Sequence, residues 1–118
     1  MMHCVSSYPT IPLDANLNVI SVIKNLSFKY KNIVPGYSSH DLTKTASAMS
    51  LALGVEMVEK HIKVNTNDWA HFDETALDVN YEFPFWVQYI RSSENILGNK
   101  RKKIQKSEHH KYFFRKSL

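Results

Sequence analysis

Two imidazoles are the first candidates for chemistry in this 118-residue chain. His40 ends the stretch Val34-Pro35-Gly36-Tyr37-Ser38-Ser39-His40-Asp41, and His61 ends Val55-Glu56-Met57-Val58-Glu59-Lys60-His61. Each follows a short apolar run of strand character, and a helical pattern joins the two. Two parallel strands that both end in histidine bring neutral nitrogen ligands together at one end of a sheet. That suits a divalent metal with positions left open for water and substrate. Read singly, each histidine is more simply a strand-end residue bonded to backbone. Only the matching positions raise the metal reading.

Alternate side chains along a strand share a face. By that parity Cys4, Ser6 and Tyr8 go together, as do Gly36, Ser38 and His40, and Met57, Glu59 and His61. The polar members, Ser6, Tyr8, Ser38, His40, Glu59 and His61, are expected to converge at one rim. Lys60 has the opposite parity and is expected to face a helical layer, so it is not read as a Schiff-base lysine. Cys4, at mid-strand, reads as a small core residue rather than a nucleophile. Asp73 and Glu74 lie in a polar loop and either reach back over the rim or are solvated. Two histidines without a cysteine pair fall short of a four-ligand structural zinc site. The adjacent pair His109-His110 reads as solvent-exposed.

The elements that would position these groups follow from spacing and punctuation. A strand spans about Met2 to Ser7, and Pro9 and Pro12 keep the following loop extended. Leu17, Ile20, Ile23 and Leu26 mark a helix over about Ala15–Phe28, capped by Asp14. Ile33–Tyr37 is the second strand. A helix rich in small residues then runs from Asp41 or Thr43 to Leu53, and Gly54 stops it. Val55–Lys60 is the third strand, and residues 62–80 read as an irregular polar loop. A last helix, about Tyr81–Leu97, is capped by Asn80 and closed by Gly98, with Phe83, Val87, Ile90 and Leu97 as its buried stripe. Short βα connections of this kind demand parallel strands with right-handed crossovers. Three such strands have open edges and uncovered faces, so the pattern predicts part of a larger α/β fold. No glycine-rich phosphate loop follows the first strand, which favours a (β/α)₈ barrel over a dinucleotide fold.

Composition narrows the classes further. Apolar residues make up 43% of the chain, which excludes general disorder, and the single cysteine excludes an internal disulfide. No apolar run approaches the roughly 18 residues of a membrane span. The N-terminus lacks the form of a signal peptide, and a cytoplasmic location with no membrane partner is expected. The net charge of +4 is unevenly placed: residues 99–118 hold eight of the fifteen Lys and Arg and one acid, Glu108. Any nucleic-acid reading therefore concerns that tail alone.

Four motifs resemble one family when taken together: His3-Cys4-Val5-Ser6-Ser7-Tyr8-Pro9-Thr10, Gly36-Tyr37-Ser38-Ser39-His40-Asp41, Glu59-Lys60-His61-Ile62, and Leu77-Asp78 through Glu82-Phe83 to Ile96-Leu97-Gly98. In this order and at these separations they resemble the sialic acid synthases, including the legionaminic and pseudaminic acid relatives. The resemblance runs through nearly the whole chain. It implies the last three βα units of a (β/α)₈ TIM barrel over residues 1–98. Residues 99–118 would be a basic connector toward an antifreeze-like domain, with the first five strands absent. It implies condensation of phosphoenolpyruvate with an N-acyl hexosamine, such as N-acetylmannosamine, to a 2-keto sugar acid and phosphate. His40 and His61 would be catalytic and hold Mn²⁺ or Mg²⁺, Ser38 and Ser6 would contact phosphoenolpyruvate, and Tyr8 and Asp73 would meet the sugar. Ser6 stands where many members have Asn, and Ser39 where the family usually has Asp. The family also implies a homodimer, and a missing N-terminal part that would have to complement this chain for activity.

A different class of reading is a small binding protein whose basic tail contacts nucleic acid or an acidic surface, with Tyr112, Phe113 and Phe114 stacking on bases. A connector should leave nucleic-acid affinity unchanged when residues 99–118 are deleted. A salt-titrated binding assay checks this, because loss of both affinity and salt dependence would favour the tail as a binding element.

Overall fold

The computed structural model describes residues 1–65, 67, 69 and 72–108. His71, the His109-His110 pair and the aromatic residues Tyr112, Phe113 and Phe114 lie outside the described residues. The strands are β1 (Met2–Cys4), β2 (Gly36–Ser39), β3 (Met57–Lys60), β4 (Ile62–Lys63) and β5 (Leu77–Asp78), and the helices are α1 (Val19–Lys29), α2 (Thr45–Ala52) and α3 (Glu82–Leu97). Strands β1, β2 and β3 form one parallel sheet in that order, and β4 pairs with β5 in a second parallel ladder. The chain is therefore an α/β protein with all of these pairings parallel, as its short βα connections require.

Register fixes which side chains are neighbours. Cys4 lies opposite Ser38, and Ser38 opposite Glu59; His3 lies opposite Tyr37, and Tyr37 opposite Val58. The second row faces the helices. There Ile20, Tyr37 and Val55 form the core, with Leu17, Ala46, Leu51, Leu53 and Val58 packed against it. His3 donates from Nε2 to the Ala15 carbonyl at 2.7 Å, which satisfies its ring inside this layer. Helix α2 lies close to the sheet because the side chains it turns inward are small, with Ser47 and Ser50 fully buried. Gly54 ends it at φ 90°, where a side chain would be strained and would also meet the Lys24 stem.

Several expected boundaries move, each for a local reason. Helix α1 begins at Val19, because Asn16 takes a left-handed φ of 40° and interrupts the helical run; Asp14 does not cap it. Strand β2 starts at Gly36, after the buried Pro35 that opens the pairing. The loop over residues 62–80 is not irregular throughout. It holds β4, a 3₁₀ turn at Asp73–Thr75 and β5, tied by Leu77 N–H to the His61 carbonyl at 2.9 Å and Val79 N–H to the Lys63 carbonyl at 2.9 Å.

The start of α3 is organised by Asp78 rather than Asn80. The buried Asp78 carboxylate accepts the N–H groups of Asn80 at 2.8 Å and Tyr81 at 3.1 Å, while Glu82 accepts the Asp78 N–H at 2.8 Å. That reciprocal arrangement satisfies backbone donors at a helix entrance. The side chain of Asn80 donates to the Val64 carbonyl instead. The stripe of α3 also differs from expectation. Trp86 is its buried residue, Phe83 and Ile90 are half-buried, and Val87 and Leu97 are exposed. The helix packs on α2.

Ile20 is fully buried. Ile20→Ala should cost about 2–5 kcal/mol in denaturant unfolding. Tyr37 should show in the alkaline limb. Burial, then the charge of Asp41, pushes its phenol up from 10.0 to about 12. The folded value exceeds the unfolded one, so the contribution of the neutral phenol is complete below pH 10. It is lost as pH rises towards about 12. Stability measured across that interval should fall, and Tyr37→Phe should flatten the fall.

Candidate active site

Strands β2 and β3 run parallel and in register, so the residue just past each strand end falls beside its neighbour. His40 and His61 are those residues, and their ring centroids are 5.2 Å apart at 46°. An imidazole nitrogen binds a divalent ion at about 2 Å, and two rings at this separation can share one ion. His40 is 2% exposed, and its Nδ1 donates to the Val5 carbonyl at 2.8 Å. The carbonyl can only accept, so Nδ1 carries a proton, and in the neutral ring the lone pair is on Nε2. A backbone carbonyl fixing the far nitrogen in this way is the usual support of a metal-ligating histidine.

Ser38 lies two residues before His40, on the same face of the sheet. Its hydroxyl donates to Glu59 Oε1 at 2.7 Å and lies 3.4 Å from His40 Nε2. The shorter contact takes the single hydroxyl proton, so Ser38 donates to Glu59 and offers Nε2 no hydrogen-bond donor. Ser38 is buried and Glu59 is exposed, which leaves the carboxylate on the solvent side of the bond. Ser39 points the other way, as its parity predicts: it is fully buried and donates to the Asp41 carboxylate. Lys60 also lies on the helical side and donates to the Asp41 carbonyl. Burial pushes its ammonium down from 10.5, and the charge of Asp41 partly opposes that.

Tyr8 joins the pair of histidines. Its ring centroid is 4.3 Å from His40 and 5.7 Å from His61. The loop that carries it is tied to β2 by the Thr10 N–H, which donates to the His40 carbonyl at 2.9 Å. Ser6 is exposed, and its hydroxyl lies 3.7 Å from the Cys4 thiol. Cys4 is itself exposed, against the expectation of a core cysteine, because it lies on the face of the sheet turned away from the helices. Asp73 begins the 3₁₀ turn, and its carboxylate is held by Lys63 Nζ at 2.9 Å. That hydrogen bond raises the ammonium of Lys63. Among the described residues no group of three or more His, Cys, Asp or Glu is placed to hold a metal ion. The pair His40 and His61 is thus the nitrogen donor set that these residues offer.

Two further residues belong to the site. Glu59 is legible from parity, as the cross-strand neighbour of Ser38. Phe72 carries no signal in the sequence, yet its ring stacks on Tyr8 at 3.6 Å and 11° and lies edge-on to His61 at 5.6 Å. Its backbone is left-handed, φ 62° and ψ 43°, which costs a non-glycine residue about 1–3 kcal/mol.

Removing the His40 ring should separate support from chemistry. His40→Phe removes the Nδ1 donor from the half-buried Val5 carbonyl, and unfolding should become easier by about 0.5–1.5 kcal/mol. His61→Phe, at a half-buried position, should cost less in the same denaturant titration.

Comparison with known proteins identifies a family. The model of the NeuB family matches residues 1–102. The chain is 34% identical over 103 residues to an N-acetylneuraminate-9-phosphate synthase of Mus musculus, covering 87% of the chain and 28% of that protein. It is 33% identical over 98 residues to a pseudaminic acid synthase of Campylobacter jejuni, covering 83% of the chain and 27% of that protein. Among solved structures, an N-acetylneuraminic acid (sialic acid) synthetase from Leptospira borgpetersenii aligns with a TM-score of 0.70 and 33% identity, over 99% of this chain and 39% of that one. The chain therefore spans less than a third of the length of these two curated relatives. A family model matched over most of the sequence, with the two histidines side by side at the ends of neighbouring strands, shows that the chain belongs to the NeuB family.

Proposed function

We propose that this chain supplies the histidine-bearing part of a nonulosonic acid synthase, built as the last three βα units of a (β/α)₈ barrel. The reading is carried by one observation, the meeting of His40 and His61 with Ser38 two residues before His40 on the same face, in a chain of this family. The reaction joins phosphoenolpyruvate to an N-acyl hexosamine such as N-acetylmannosamine, forming a carbon–carbon bond and releasing phosphate.

Each residue has a role that its surroundings support. His40 and His61 would hold a divalent manganese or magnesium ion through unprotonated nitrogens, His40 through Nε2. The ion, when bound, would polarise the aldehyde oxygen of the open-chain sugar. Ser38 would hydrogen-bond phosphoenolpyruvate by turning its hydroxyl proton from Glu59 to a substrate oxygen. Ser6, exposed at the same rim, would add a second polar contact to that substrate. Tyr8 would form a wall of the sugar pocket. Asp73 would meet the sugar by exchanging its bond to Lys63 for one to a hydroxyl.

The groups that hold the phosphate are expected from the first five barrel strands, so the chain by itself should be inactive. Residues 99–118 would lead to an antifreeze-like domain, and the complete enzyme would be a cytoplasmic homodimer. Mixing the chain with a polypeptide carrying the first five βα units should restore phosphate release from phosphoenolpyruvate and N-acetylmannosamine. The same mixture with His40→Ala or His61→Ala should release none. Absence of release from the unsubstituted pair, with both parts folded by circular dichroism, would refute the assignment.

A further inference from the structure

We propose that Phe72 is a positioning residue of this site, closing one side of the imidazole pair by covering His61 and Tyr8; its effect on metal binding rests on the function proposed above. Three observations converge on it. Its ring is stacked on Tyr8 and edge-on to His61, and both of those rings also approach each other. The three rings with His40 thus make one continuous aromatic cluster. The backbone of Phe72 is in the left-handed region, which a bulky side chain adopts only when its surroundings over-determine it.

Those surroundings are visible. The Phe72 carbonyl accepts two bonds from Thr75, from the backbone N–H at 3.0 Å and from Oγ1 at 3.1 Å. Thr75 is 2% exposed and stands two residues before β5, which pairs with the strand that follows His61. The same short ladder that starts beside His61 therefore holds the turn that brings Phe72 back over His61. An apolar ring in this position excludes water from one flank of the pair and limits the orientations open to Tyr8. It contributes no ligand and no proton, so its action is through the rings that it touches.

The test uses the whole chain in three forms: unsubstituted, Phe72→Gly, and Phe72→Trp. Glycine removes the ring and also relieves the left-handed backbone, so this variant is not expected to lose its fold. Tryptophan keeps an aromatic ring to stack. The first readout needs no metal: the rate at which diethyl pyrocarbonate modifies His61, followed by peptide mass spectrometry. It should rise several-fold in Phe72→Gly and stay near the original rate in Phe72→Trp. The second readout is the dissociation constant for Mn²⁺ alone, followed by electron spin resonance of the free ion. It should weaken about tenfold in Phe72→Gly, the scale on which outer supports of metal ligands act, with Phe72→Trp close to the original. An unchanged His61 modification rate in Phe72→Gly overturns the proposal. So does unchanged Mn²⁺ affinity in Phe72→Gly when the unsubstituted chain binds the ion. If the unsubstituted chain binds no Mn²⁺ but Phe72→Gly still exposes His61, the metal reading fails while the covering role of Phe72 stands.

Discussion

The parallel register of β2 against β3 is the constraint on which the rest of the site depends. Ser38 opposite Glu59 and Ser39 opposite Lys60 fix the register, and His40 and His61 are the residues that follow these last pairs. A slip of β3 by one residue would exchange its two faces, placing Val58 or Lys60 opposite Ser38 where Glu59 now stands. It would also turn His61 into the helical layer. Two different environments resist the slip. On the helical side Tyr37 and Val58 enter the core, and Ser39 and Lys60 are both bonded to Asp41. On the other side Ser38 bonds Glu59 across the strands. Apolar packing and polar bonding therefore specify the same register from opposite faces.

That consistency explains what could be read from the sequence. Alternation along a strand is a property of the backbone, so the assignment of Ser38, His40, Glu59 and His61 to one face, and of Ser39 and Lys60 to the other, needed no knowledge of the partners. Gly54 ended α2 for an equally local reason. What failed depended on contacts that spacing does not encode. The start of α1 turned on a left-handed Asn16, and the start of α3 on a carboxylate two residues before the expected cap. Val87 and Leu97 fit a helical stripe, yet they are exposed, because burial requires a neighbouring element as well as a period. The exposure of Cys4 has the same origin.

The stretch after β3 was the least legible. Strands of two residues are too short to show alternation, so β4 and β5 read as loop. Their pairing is set by tertiary hydrogen bonds at the His61 and Lys63 carbonyls. Phe72 was invisible for the same reason. Nothing in Phe72-Asp73-Glu74 announces a left-handed turn, and the bonds that enforce it come from Thr75. The acid that follows was the residue singled out, while the neighbouring aromatic makes the ring contacts.

The site thus rests on two kinds of support that act at different distances. Parallel pairing places the histidines to within a rung, but it does not orient their rings. Orientation comes from groups brought in by loops: the Val5 carbonyl at His40 Nδ1, Tyr8 from the β1–α1 connection, and Phe72 from the turn before β5. A ring nitrogen is useful as a ligand only when its lone pair has a fixed direction, which a strand end alone leaves free about χ1 and χ2. The loops are consequently as much a part of the donor set as the strands. Two imidazoles leave most positions of a divalent ion to oxygen donors, so an ion held here would have room to bind substrate directly. A sparse pair of nitrogen donors at strand ends is thus unlike a closed four-ligand cage, whose role is structural.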